Sequence, residues 1–213
     1  MKRNVSLDEI TDGKIYTVND MVRADTGGCQ GCHVCCTGMG ESITLDPYDV
    51  YRLTQGLACS FDELNQSKLS WHREDMLMLP NLKVEGKNER CIFLDENGRC
   101  TIHVYRPSVC RLFPLGRYYH EDQFSYILQV HECVKPNRSK IKVKKWINNP
   151  DGKAYDDFIM AWRRFKKNTQ AYMEQVQDKK QIEAMNQLVL HRFFETPYDN
   201  ERSFYEQFYE RLG

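Results

Sequence analysis

The 213-residue chain has no long hydrophobic run. No stretch approaches the roughly 18–20 apolar residues that a bilayer-crossing helix needs. Met1–Lys2–Arg3 is followed by Asn4, Ser6, Asp8 and Glu9 rather than by the apolar centre of a secretory leader. A cytoplasmic chain with no membrane partner is therefore expected. Net charge is also missing, because thirty basic side chains cancel thirty acidic ones. That balance argues against a general nucleic-acid binder, which carries a basic excess. There is no P-loop, no glycine-rich nucleotide or S-adenosylmethionine loop after a predicted strand, and no Ser–His–Asp grouping or paired catalytic carboxylates. No repeat and no low-complexity segment interrupts the chain.

What is present in excess is cysteine. Four of the nine fall within eight residues, in Gly27–Gly28–Cys29–Gln30–Gly31–Cys32–His33–Val34–Cys35–Cys36. No ordinary helix, strand or turn needs that many thiols. In a reducing compartment they read as ligands rather than disulfides. Thiolates bind zinc and iron–sulfur clusters strongly, and the adjoining glycines permit the positive φ that wrapping backbone around a small centre requires.

Four more cysteines follow at Cys91, Cys100, Cys110 and Cys133, and none lies beyond. Cys59 stands apart between two predicted helices and reads as a small buried apolar residue. The C-x2-C-x2-C spacing matches a bacterial ferredoxin loop, in which one loop gives three thiolates and a distant cysteine the fourth. A zinc ribbon would use two C-x2-C knuckles, and this chain has a knuckle only in its first region. The spacing thus favours an iron–sulfur cluster of the 4Fe-4S type, with zinc the alternative. Eight thiolates also suffice for two four-ligand sites, and spacing does not partition them. Adjacent Cys35 and Cys36 are expected to point different ways, one of them joining the downstream set.

Four thiolates around zinc or an oxidised cubane carry a formal charge of about −2, and buried charge needs partners. Arg99 beside Cys100, Arg111 beside Cys110 and Arg106 four residues before Cys110 are the candidates to offset it. His33, His103 and His131 lie close to cysteines and are alternative ligands.

The rest reads as an α+β fold. A short piece capped by Ser6 and Glu9 precedes a strand at Ile15–Val18. Asp46–Pro47 announces a helix with Gly56 as its stop signal, and Ser60/Glu63 starts another to about Leu69. Alternation over 75–84 predicts strand around a turn at Pro80–Asn81. Asn97–Gly98 predicts a hairpin, which would bring Cys91 and Cys100 near each other. Pro107 and Pro114 confine any helix at Cys110 to a short one. A second hairpin is expected around Glu121–Asp122. The breaker cluster 148–152 divides a cysteine-cluster metal-binding domain, 1–150, from a helical C-terminal extension, 151–213, whose Phe158/Trp162/Phe165/Tyr172 stripe reads as core. The basic run 135–145 and the helical tail are the candidate protein-partner surfaces.

The set Cys29-x2-Cys32-x2-Cys35-Cys36, Cys91-Ile-Phe-Leu, Gly98-Arg99-Cys100-Thr-Ile-His103-x-Tyr105-Arg106-Pro107-x2-Cys110-Arg111-Leu-Phe113-Pro114 and Cys133 resembles the YkgJ-type CxxCxxCC family. The resemblance covers about residues 27–135. It implies a zinc- or iron-chelating domain, often described as an iron–sulfur protein. The same pattern is similar to part of the flagellin lysine N-methylases, which are longer, and so implies methyl transfer as an enzyme alternative.

Overall fold

The computed structural model describes residues 6–213 apart from 28, 30, 31, 150 and 177. The fold is α+β, with small antiparallel sheets and a helical C-terminal part. The chain forms two compact units, each assembled from three segments. The first comprises Met1–Gly40, Val84–His103 and Ser108–Pro150; the second comprises Glu41–Lys83, Val104–Pro107 and Asp151–Gly213. No described helix is long and apolar enough to cross a membrane.

In the first unit the one-turn helix α1 (Leu7–Ile10) leads into β1 (Thr11–Tyr16). This strand pairs antiparallel with β8 (Phe124–Gln129), and β8 pairs with β7 (Leu115–Tyr119), giving the order β1-β8-β7. The β7–β8 hairpin turns at Glu121–Asp122 as expected, in the register Leu115↔Leu128 to Tyr119↔Phe124. A separate ribbon joins β2 (Met21–Asp25) to β9 (Ser139–Lys142). Alternation decides the faces. Val22 and Ala24 are fully buried while Met21 and Arg23 face out. The helix α5 (Val143–Ile147) follows β9, and its Val143, Trp146 and Ile147 complete a core with Tyr16, Leu112, Leu115 and Leu128. Residues 139–145 of the basic run are therefore strand and helix.

The second unit contains α2 (Pro47–Leu57) and α3 (Phe61–Lys68). Both start at the capping residues read from sequence: Asp46 accepts from the Asp49 N–H at 2.8 Å and Ser60 from the Glu63 N–H at 3.2 Å. Gly56 does not end α2. The helix passes through it and stops at Ala58, which takes the left-handed conformation. Gly56 serves packing instead, since a Cβ there would sit 2.4 Å from the Tyr105 ring.

The expected turn at Pro80–Asn81 is also displaced. β3 (Leu69–Glu74) and β4 (Leu77–Leu82) form a hairpin that turns at Asp75–Met76, with Asp75 at φ +54°. Pro80 lies inside β4, where its carbonyl accepts from the Leu45 N–H at 2.8 Å.

The helices α6 (Lys153–Gln175), α7 (Lys179–Leu190) and α8 (Phe204–Leu212) complete this unit, with a π-helical turn at His191–Glu195. Tyr155, Phe158, Ile159 and Trp162 recur at helical spacing on α6 and are buried. Phe158 meets Phe208 edge-on at 4.7 Å between centroids. Tyr172, expected in the same stripe, is 48 % exposed.

Candidate metal centre

All eight clustered cysteines belong to the first unit, and Cys59, between α2 and α3, to the second. No disulfide is formed among the described residues.

The loop that carries the first four is built by local hydrogen bonds. The Asp25 carboxylate accepts from the Gly27 N–H at 2.9 Å, and Gly27 has φ +71°. Gly28 and Gly31, the other glycines expected to free the backbone, lie outside the described residues. Cys29 itself adopts φ +59°, a conformation uncommon for a residue with a Cβ. Its N–H donates to Thr26 Oγ1 at 3.2 Å, and that hydroxyl also meets the Cys29 Sγ at 3.3 Å. The Cys32 N–H then returns to the Cys29 carbonyl at 3.1 Å, which closes the turn that C-x2-C spacing allows. Val34–Cys36 is a single 3-10 turn, locked by the Cys36 N–H on the His33 carbonyl at 2.8 Å.

Cys29, Cys32 and Cys35 line one cavity of about 20 Å³ together with Cys133. Phe113, Pro114 and Trp146 form its apolar wall, and Glu132 and Lys135 are its charged lining. Trp146 is fixed from below, where its Nε1–H is shared between the carbonyls of Leu112 at 3.3 Å and Phe113 at 3.2 Å. The volume is room for about one water-sized atom.

The remaining thiols gather elsewhere in the same unit. Cys91 lies on β6 (Arg90–Cys91), paired with β5 (Val84–Glu85). Cys100 bridges to Leu94 across the turn at Asn97–Gly98. The predicted hairpin is thus present as a tight turn, in which Asp95 Oδ1 accepts from the N–H groups of Asn97 at 2.9 Å and Arg99 at 2.8 Å. Cys110 sits on the short helix α4 (Ser108–Leu112), held between the two prolines as expected.

Electrostatics connect these groups. The Cys36 thiol is pushed far up by a hydrogen bond with Cys35, by burial, and by the neighbouring Cys35, Cys110 and Cys91 sulfurs. Burial raises Cys91, Cys100 adds to the rise, and a Phe93 backbone hydrogen bond and Arg90 oppose it. Cys35 and Cys36 therefore face different neighbours without turning fully apart. In a 3-10 turn successive side chains are splayed by about a third of a revolution.

Among the described residues, no three His, Cys, Asp or Glu side chains close into a shell able to hold an ion. The donor chemistry nevertheless fits a thiophilic metal, with eight thiols in one unit and four of them around one cavity. Thiols attract one another weakly, and closure of such a shell is work that metal bonds and thiol deprotonation do.

The three proposed arginines differ in setting. Arg111 is buried at 5 % exposure beside Cys110. Arg99 is exposed on the turn, and Arg106 is half-buried in the Val104–Pro107 segment of the second unit. His33 is exposed, yet its ring packs on Gly98. Sequence reading missed Arg90, whose guanidinium donates to the carbonyls of Leu94 and Asp95 and acts on Cys91. The available signal was its position directly before Cys91, the same as Arg99 before Cys100.

No curated protein and no solved structure matches the chain. A family model does, over residues 28–139, more than half of the chain, and its description is "CxxCxxCC: Putative zinc- or iron-chelating domain". The matched span holds all eight clustered cysteines, and the chain belongs to the CxxCxxCC family.

Proposed function

We propose that this chain is an iron–sulfur protein whose clustered cysteines hold the metal and whose role is electron transfer. The observation that carries the reading is that Cys29, Cys32 and Cys35 share one cavity with the distant Cys133. Three thiols from one loop and a fourth from far along the chain is the ferredoxin manner of holding a cubane. When bound, the cluster would supply a one-electron redox centre. The chain's own part is to orient the thiolates and to shield them with Phe113, Pro114 and Trp146, with Glu132 and Lys135 as the charged groups of the lining.

The site's position also suits electron transfer. Cys35 is exposed, and Val34 and Val134 on the cavity lining are 49 % and 60 % exposed. Lys135 opens the basic run 135–145, so an acidic protein partner docking there would reach the centre. The test is spectroscopic. Protein purified without oxygen should show a broad visible absorption that bleaches with dithionite, and Cys133→Ser should weaken or shift it. A colourless protein would contradict the reading.

A structural zinc module is the second reading. What favours it is the small cavity, about 20 Å³, which suits a single ion more readily than a cubane. Zinc bound at one equivalent or more with no labile sulfide would establish it.

A further inference from the structure

We infer that the eight cysteines form two adjacent four-thiolate centres: Cys29, Cys32, Cys35 and Cys133 make the first, and Cys36, Cys91, Cys100 and Cys110 make the second. The inference rests on the reading that these cysteines ligate metal, and goes beyond it by assigning each thiol to a centre.

Three independent features divide the set. The first is the cavity, which four of the thiols line and the other four do not. The second is how the loop is pinned around Cys36. On one side the His33 ring packs on Gly98, in the turn that carries Cys100. On the other, the Gly38 N–H donates to the Asn88 carbonyl at 2.8 Å, three residues before Cys91. Cys36 is thus held between two points of attachment to the segment that bears Cys91 and Cys100, and Cys110, on α4, is the remaining clustered thiol that does not line the cavity.

The third feature is charge. Arg90 directly precedes Cys91, Arg99 precedes Cys100 and Arg111 follows Cys110, whereas no cysteine of the first set has a neighbouring arginine. A divalent ion that displaces four thiol protons leaves a centre of formal charge about −2. A centre that contains the buried Cys91 needs nearby cations to offset that charge. The first set lies beside exposed Cys35, where solvent offsets charge, and Glu132 and Lys135 on its lining balance each other. Because Cys35 and Cys36 adjoin in one 3-10 turn, the two centres are neighbours rather than remote sites.

Cadmium alone, added anaerobically to the reduced full chain, is the probe, read by 113Cd NMR and by bound metal per chain. Two all-thiolate resonances and two equivalents are expected. Cys110→Ser and Cys91→Ser should each remove the same resonance, and Cys133→Ser should remove the other, halving bound metal in every case. The surviving resonance reports that the variant has folded. A single resonance in the unsubstituted chain would overturn the partition while leaving metal ligation intact, and so would loss of both resonances in Cys110→Ser. No resonance and no bound cadmium would overturn metal ligation itself.

Discussion

The His33 imidazole lies against Gly98, so close that a Cβ on Gly98 would sit 2.5 Å from His33 Nδ1. His33 belongs to the C-x2-C-x2-C-C loop and Gly98 to the turn between Cys91 and Cys100, so this contact fastens the first cysteine region to the second. Gly98 also has φ +70°, where a side chain is strained in any surroundings. Gly98→Ala should therefore destabilise the protein by about 1–3 kcal/mol and weaken metal loading. Denaturant titration of the metal-free protein measures the first effect, and zinc competition with a chelator the second. An unchanged midpoint would mean that the contact does not fasten the loop.

The second unit is held at one point by Asp151, whose carboxylate accepts from the hydroxyls of Tyr48 at 2.5 Å and Tyr205 at 2.6 Å. Burial, then the hydrogen bond to Asp151, pushes the Tyr48 hydroxyl up to about 12, and Tyr205 rises for the same causes. Tyr205→Phe should cost about 1.5–3 kcal/mol, the range for a hydrogen bond to a charged group. The pH dependence follows from the direction of these shifts. The folded state favours the neutral phenols, so their contribution is whole below the ordinary tyrosine value of about 10 and is lost as pH rises from there through the folded value. Denaturation midpoints should fall across that alkaline range, and fall less in Tyr205→Phe.

Metal removal should act on the two units unequally. The eight clustered cysteines all lie in the first unit, while the second is built on α2, α6 and α8 and their aromatic side chains. Hydrogen exchange after chelation should show lost protection at 32–40, 84–103 and 108–135, with protection in α6 and α8 retained. Equal loss in both units would contradict the assignment of the metal to the first.

Cys59 belongs to the second unit, half-buried between α2 and α3, and its thiol is raised by burial and by Glu63. Cys59→Ser should leave metal content unchanged, whereas serine at Cys29 or Cys133 should reduce it. Metal analysis of the purified variants decides the matter.

What the sequence disclosed were features whose cause is local. Asp46–Pro47 and Ser60/Glu63 satisfy their own helix starts within three residues, so they can be read without tertiary structure. Pro107 and Pro114 likewise confine α4. The misreadings were tertiary. Gly56 is small because Tyr105 packs on it, not because a helix ends there. Pro80 lies within β4 opposite Trp71, because the chain has already reversed at Asp75–Met76. The eight-cysteine set could be recognised from thiol chemistry and spacing alone. Its grouping could not, because which thiols share a neighbourhood depends on long-range contacts such as His33 on Gly98.

The most direct test of the account is iron, zinc and acid-labile sulfide analysis of the full chain purified without oxygen. Iron and sulfide in equal amounts, falling together in Cys29→Ser, are the predicted result. Stoichiometric zinc with no sulfide would contradict the iron–sulfur reading, and a chain carrying neither metal would contradict the cysteine centre altogether.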